Sequence, residues 1–206
     1  MKSTNNQIKK VNDNNEKYMS YKSNIKQFNK AKAAGFYFEC LWILYALIED
    51  RTSAFLYYLG FTSEEKRSSV TGTKKIKNEI REMLKIKQGN AKYYFNTLSG
   101  KLSRINELLI LSKEESANTS DYQQEVIKVL QALNNLSEFE SAANYLKSGW
   151  VDKRNQLTHA LFNKDYASAT DEVLPMIEEG YIAVRQIDAA VKTVKKHNIR
   201  AHFNIQ

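Results

Sequence analysis

The stretch from Phe36 to Leu59, FYFECLWILYALIEDRTSAFLYYL, limits what this 206-residue chain can fold into more than any other segment. Its apolar residues recur without strict alternation and cover too much of a helical circumference for a helix with one wet face. The longest unbroken apolar run inside it, Cys40 to Ile48, is far short of the roughly 20 residues a membrane helix needs. Such a helix belongs at the centre of a bundle, with other helices around it and no membrane.

The rest of the chain agrees with an all-α fold. One proline and seven glycines punctuate it, while Leu, Ala, Lys, Glu, Gln and Ile fill the long stretches between. A chain of this length can bury one real core. Residues 1–23 carry Asn5, Asn6, Asn12, Asn14 and Asn15 among lysines, with few large apolar groups to anchor them, and are expected to be a flexible or frayed lead-in. Residues 24–200 are expected to form the helical domain.

Within that domain Gly60 closes the apolar helix, and Ile76, Ile80, Met83 and Leu84 set up an amphipathic helix from about Thr73. Leu102, Ile105, Leu108 and Leu109 mark a further helix after Gly100, and residues 112–120 read as a polar loop. The spacing of Val126, Val129, Leu130, Leu133 and Leu136 predicts one helix from Asp121 to Lys147, stopped by Ser148-Gly149. Trp150 then opens a short helix, and a last one runs from about Thr170 to Lys196 with Asp171 as its N-cap and Pro175 near its start.

The single cysteine, Cys40, lies in an apolar run, so neither a disulfide framework nor a thiolate zinc site is expected, and a reducing cytoplasmic setting fits. The first thirty residues lack the apolar core of a secretory leader. His197 and His202 are five apart without nearby acids or cysteines, which is not metal-ligand spacing, and no glycine-rich phosphate loop is present. No metal or cofactor is expected. The formal charge of +8 suits a polyanionic partner.

The segment WVDKRNQLTHALF, from Trp150 to Phe162, holds the chemistry-bearing residues. At about 100° per residue, Trp150, Leu157 and Leu161 share one side, while Asp152, Asn155 and His159 gather on the other. Asn155 and His159 therefore stand one turn apart on a polar stripe. Arg154 is the misfit: it falls in the apolar stripe, where an unpaired guanidinium is expensive, and so calls for an acid partner, a ligand or room to snorkel.

Arg154-Asn155-Gln156-Leu157-Thr158-His159 resembles the motif of the HEPN ribonucleases, in which an arginine followed by a polar residue precedes a histidine by four to six residues. The position also matches, since the motif follows several helices and precedes one last long helix. The resemblance covers about residues 25–200 and implies a HEPN-like antiparallel helical bundle with additional helices. It implies a metal-independent endoribonuclease with Arg154, Asn155 and His159 as catalytic residues, in a toxin–antitoxin or phage-defence setting with an antitoxin or regulatory protein as partner. The alternative is a non-catalytic relative serving as an RNA- or protein-binding module. An acid on an early helix near the motif is also implied. Glu39, Glu49 and Asp50 are available, and Glu49 or Asp50 is expected to partner Arg154 unless these acids pair locally with Arg51.

RNA supplies its own nucleophile, the 2′-hydroxyl, so a catalyst has only to move protons and stabilise a charged phosphorane. An imidazole, with its ordinary pKa of about 6.5, suits the first task, and a forked, permanently charged guanidinium the second. One motif supplies one histidine, and HEPN domains usually meet that by pairing two motifs, so a homodimer with His159 near its two-fold axis is expected. Lys74, Lys75, Lys77, Arg81, Lys85, Lys87 and Lys92, with Lys101 and Arg104 beyond them, form a basic stretch for the RNA substrate. Tyr93, Tyr94 and Phe95 stand among them as a stacking platform, or as core aromatics.

Overall fold

Leu41, Leu44, Leu47, Ile48, Phe55 and Leu56 bury about half the circumference of α2 (Tyr37–Tyr58), which packs on three other helices and is the hub of the fold. A computed structural model of the chain describes residues 14–63, 72–84, 95–113, 120–160 and 166–205, and every regular element among them is helical. No helix among them is long and apolar enough to cross a membrane. Around α2 stand α1 (Asn14–Ala33), α4 (Leu98–Leu111) and α8 (Tyr166–His197), and α6 (Leu136–Tyr145) fills the space between α4 and α8. The shorter α3 (Lys74–Met83), α5 (Asp121–Gln131) and α9 (Ile199–His202) close one end.

Contacts between side chains fix the directions. Cys40 Sγ donates to the Phe28 carbonyl and Arg51 lies 4.8 Å over the Tyr21 ring, so α1 and α2 are antiparallel. Asn106 donates to Asn144 at 3.0 Å and Lys113 to Glu140 at 2.7 Å, which sets α4 against α6, and Asn135 to the Gln186 carbonyl with Tyr145 to Glu179 sets α6 against α8. Those pairs follow the expected antiparallel pattern. Arg51 pairs with Asp188 at 3.3 Å and Lys195 lies 5.4 Å over Tyr58, so the two longest helices, α2 and α8, run parallel.

Several element boundaries differ from expectation. Helix α1 begins at Asn14, inside the segment expected to be frayed, because Tyr21 packs on the core and is pinned by Arg51; residues 1–13 lie outside the described residues. The expected helix from Asp121 to Lys147 is two helices, with Ala132 capping the first and Asn135 opening the second. Ser148-Gly149 stops nothing: it sits within a π-helical turn, Leu146–Trp150, that joins α6 directly to α7 (Val151–Ala160). Asp171 and Pro175 are interior to α8, which starts at Tyr166, so Asp171 is not its cap.

Other termini carry ordinary chemistry. Thr73, Thr97 and Ser120 accept backbone N–H groups at the starts of α3, α4 and α5, so Gly100 lies inside α4 rather than ahead of it. Gly60 ends α2 at φ +89, and a Cβ there would lie 2.6 Å from Ile205, so both conformation and space demand glycine. The buried Tyr122 hydroxyl donates to the Leu59 carbonyl at 2.8 Å, tying α5 to the end of α2. Tyr122→Phe should cost about 1–3 kcal/mol, because it strands a buried carbonyl, and urea unfolding reads this as a lower midpoint with unchanged slope.

Candidate functional site

The π-helical turn gives the chain one extra residue within a continuous helix and so re-aims everything after it. Trp150, at its last position, turns fully inward and donates from Nε1 to the Met176 carbonyl of α8 at 2.9 Å. Its indole rests on Gly180, where a Cβ would lie 3.0–3.2 Å from the ring. Leu157 of α7 is buried too, and Asp152, Asn155 and His159 are left exposed on the opposite side of that helix. Leu157 stands opposite Asp152, Asn155 and His159 as the residue spacing predicts, and Leu161 lies outside the described residues.

Arg154 is only 8 % exposed, and its guanidinium lies between two aromatic rings, 4.1 Å from the Trp42 centroid and 4.2 Å from that of Tyr45. Trp42 and Tyr45 are three residues apart on α2 and so share a face. A cation held between two ring faces is favoured by their quadrupoles, more so where water is excluded. The guanidinium then donates from Nη1 to Asn155 Oδ1 at 3.0 Å, and Thr158 Oγ1 donates to the Arg154 carbonyl at 2.9 Å. Because Oδ1 accepts from Arg154, the two Nδ2 donors of Asn155 are left for a ligand. His159 follows one turn later on the same face, with Cβ atoms about 5–6 Å apart.

The expected acid partner of Arg154 is a correction. Glu49 is bound instead by Lys101 of α4, which also donates to Ser53 Oγ at 2.9 Å, and Asp50 is bound by the adjacent Arg51. Among the described residues no carboxylate forms an ion pair with Arg154. Glu39 accepts from Gln27 at the surface. The aromatic pair takes the role assigned to an acid, and the signal available in the sequence was the i, i+3 spacing of Trp42 and Tyr45.

The described part of the expected basic surface lies away from this cluster. Lys74, Lys75, Lys77 and Arg81 lie on α3, which packs on α5 and thus at the Leu59 end of α2. At 1.5 Å per residue, Leu59 is about 21 Å along α2 from Tyr45, so the structure does not bring these cations to Arg154 and His159. Lys101 is buried in its ion pair, Arg104 donates to the Leu84 carbonyl at 2.9 Å, and Phe95 is a core residue. Lys85, Lys87, Lys92, Tyr93 and Tyr94 lie outside the described residues.

Trp42, Tyr45, Arg154, Asn155 and His159 thus make one cluster at the α2–α7 contact. Its parts are a fixed cation, an oriented amide and an exposed imidazole. No family model matches the chain, and no curated protein or solved structure does either.

Proposed function

We propose that the chain is an endoribonuclease that works without a metal, with His159 exchanging protons and Asn155 holding the scissile phosphate. One observation carries this reading: Arg154, locked between Trp42 and Tyr45, fixes the amide of Asn155 one turn from the exposed His159. Arg154 acts through Asn155 and adds positive potential from behind it, as a positioning residue. That differs from the direct phosphate contact implied by the HEPN resemblance, because so little of its guanidinium meets solvent.

His159 takes the proton from the 2′-hydroxyl, whose oxygen attacks the neighbouring phosphorus. The Nδ2 donors of Asn155 hold a non-bridging oxygen as charge builds on the phosphorane. The bond to the 5′-oxygen then breaks, and that oxygen must receive a proton. The Arg154 cluster holds one imidazole, which serves one of these transfers at a time, so a homodimer that sets two copies of His159 at one cleft supplies both groups.

The test is to incubate the protein with end-labelled single-stranded RNA in excess EDTA and identify the product ends. The expected products carry a 2′,3′-cyclic phosphate and a 5′-hydroxyl. No cleavage, cleavage abolished by EDTA, or 5′-phosphate ends would each overturn the reading. The low exposure of Arg154 favours one rival, a non-catalytic RNA- or protein-binding module, and that rival predicts no cleavage at all.

A further inference from the structure

Far from His159, the ends of α2 and α8 and the start of α1 border two adjoining cavities that share Tyr57, Tyr58 and Lys195. One, of about 420 Å³, reaches from Tyr18 and Tyr21 of α1 to Asp188 and Lys192 of α8. The other, of about 490 Å³, continues past Asn198 to Arg200 and Asn204. Each is in the range of clefts that hold small ligands, about 300–1,000 Å³, and together they form a groove longer than one nucleotide. From Tyr45 to Tyr58 the rise along α2 is about 20 Å, which separates this groove from the Arg154 cluster.

Its chemistry is uniform. Lys17, Arg51, Lys192, Lys195 and Arg200 line it against only Asp50 and Asp188, an excess of three positive charges. Both carboxylates are already engaged, by Arg51 and, at 2.7 Å, by Lys192. The aromatic surface is tyrosine throughout: Tyr18 is 61 % exposed, and Tyr57 and Tyr58 meet edge to face at 5.2 Å. Arg200 holds Tyr57 in place, 4.0 Å over its ring and donating to the Tyr57 and Thr62 carbonyls. Burial, then the charge of Asp188, pushes the Tyr21 hydroxyl up to about 12, so it stays a neutral donor.

We propose that this groove binds single-stranded RNA, with Lys195 on the phosphates and bases stacked on Tyr18 and Tyr58. Cations interleaved with aromatic rings, one exposed at Tyr18 and one half-buried at Tyr58, are what an unpaired strand needs, since its bases offer faces that a duplex hides. Only the choice of RNA over other single strands rests on the ribonuclease reading. The groove would hold the strand at a distance from the cutting residues and so favour substrates long enough to span both.

The full chain carrying His159→Ala, which should leave the RNA intact, is titrated against a fluorescein-labelled single-stranded oligoribonucleotide while anisotropy is followed. Adding Tyr58→Ala should weaken binding about 5- to 150-fold by loss of one stacked base. Adding Lys195→Gln, at an exposed position, should reduce the slope of log K against log salt by about 0.7. Unchanged affinity in both variants would overturn the proposal, as would equal competition by duplex RNA or polyglutamate. Groove-dependent binding by a protein that never cleaves RNA would keep this inference and sink the ribonuclease reading, so the two fail separately.

Discussion

His159→Ala is expected to slow RNA cleavage about 10²- to 10⁴-fold, the usual loss when a positioned acid or base is removed, while stability stays within about 0.5 kcal/mol. The pairing of those outcomes follows from exposure, since His159 is on the outer stripe of α7 and its truncation opens no cavity. Arg154 should behave differently. Arg154→Ala empties the slot between Trp42 and Tyr45 and releases Asn155, so activity and stability fall together, the latter by about 1–2 kcal/mol. Arg154→Lys keeps the charge but lacks the planar fork, so it should recover stability better than cleavage. Cleavage by His159→Ala at the rate of the parent protein would remove the imidazole from the chemistry. Loss of activity in Arg154→Ala alone, tracking its loss of stability, would reduce the cluster to a packing feature.

The parts that the sequence made legible are those decided by neighbours along the chain. An unbroken apolar run cannot be satisfied except at a centre, so α2 was evident as the hub. A rotation of about 100° per residue separates Trp150 and Leu157 from Asn155 and His159 whatever surrounds them. Long-range contacts decided the rest. Arg154 was recognisable as a misfit, but charge logic offers carboxylates as partners, whereas Trp42 and Tyr45 accept it through ring faces, and their i, i+3 spacing does not say which cation they hold. Ser148-Gly149 has the composition of a helix stop and is overruled because Trp150 is drawn onto Met176 and Gly180, more than twenty-five residues away. In the same way the polar start of α1 is helical because Arg51 and the core hold Tyr21.

The Glu49–Lys101 pair makes the second large prediction, and its two members should prove unequal. Lys101 is 5 % exposed and surrounded by the α2–α4 contact, while the Glu49 side chain retains 32 % exposure. Removing the acid leaves an ammonium buried with only Ser53 Oγ to receive its protons, and breaking a buried pair in this way costs about 3–5 kcal/mol. Glu49→Ala should therefore lower the unfolding free energy by about 3 kcal/mol, at the low end because water reaches the site. Lys101→Met keeps the apolar stem and leaves Glu49 with one oxygen, Oε2, buried and unpartnered but its side chain still 32 % exposed, so its loss should be the smaller, about 1–2 kcal/mol. The double substitution Glu49→Leu with Lys101→Met should return close to the parent, since a well-packed apolar pair replaces an ion pair at little net cost. Urea unfolding of the three variants decides the matter. Equal losses of a few tenths of a kcal/mol in the two single variants would mean that water screens both charges alike, and the pair would then be a surface bridge.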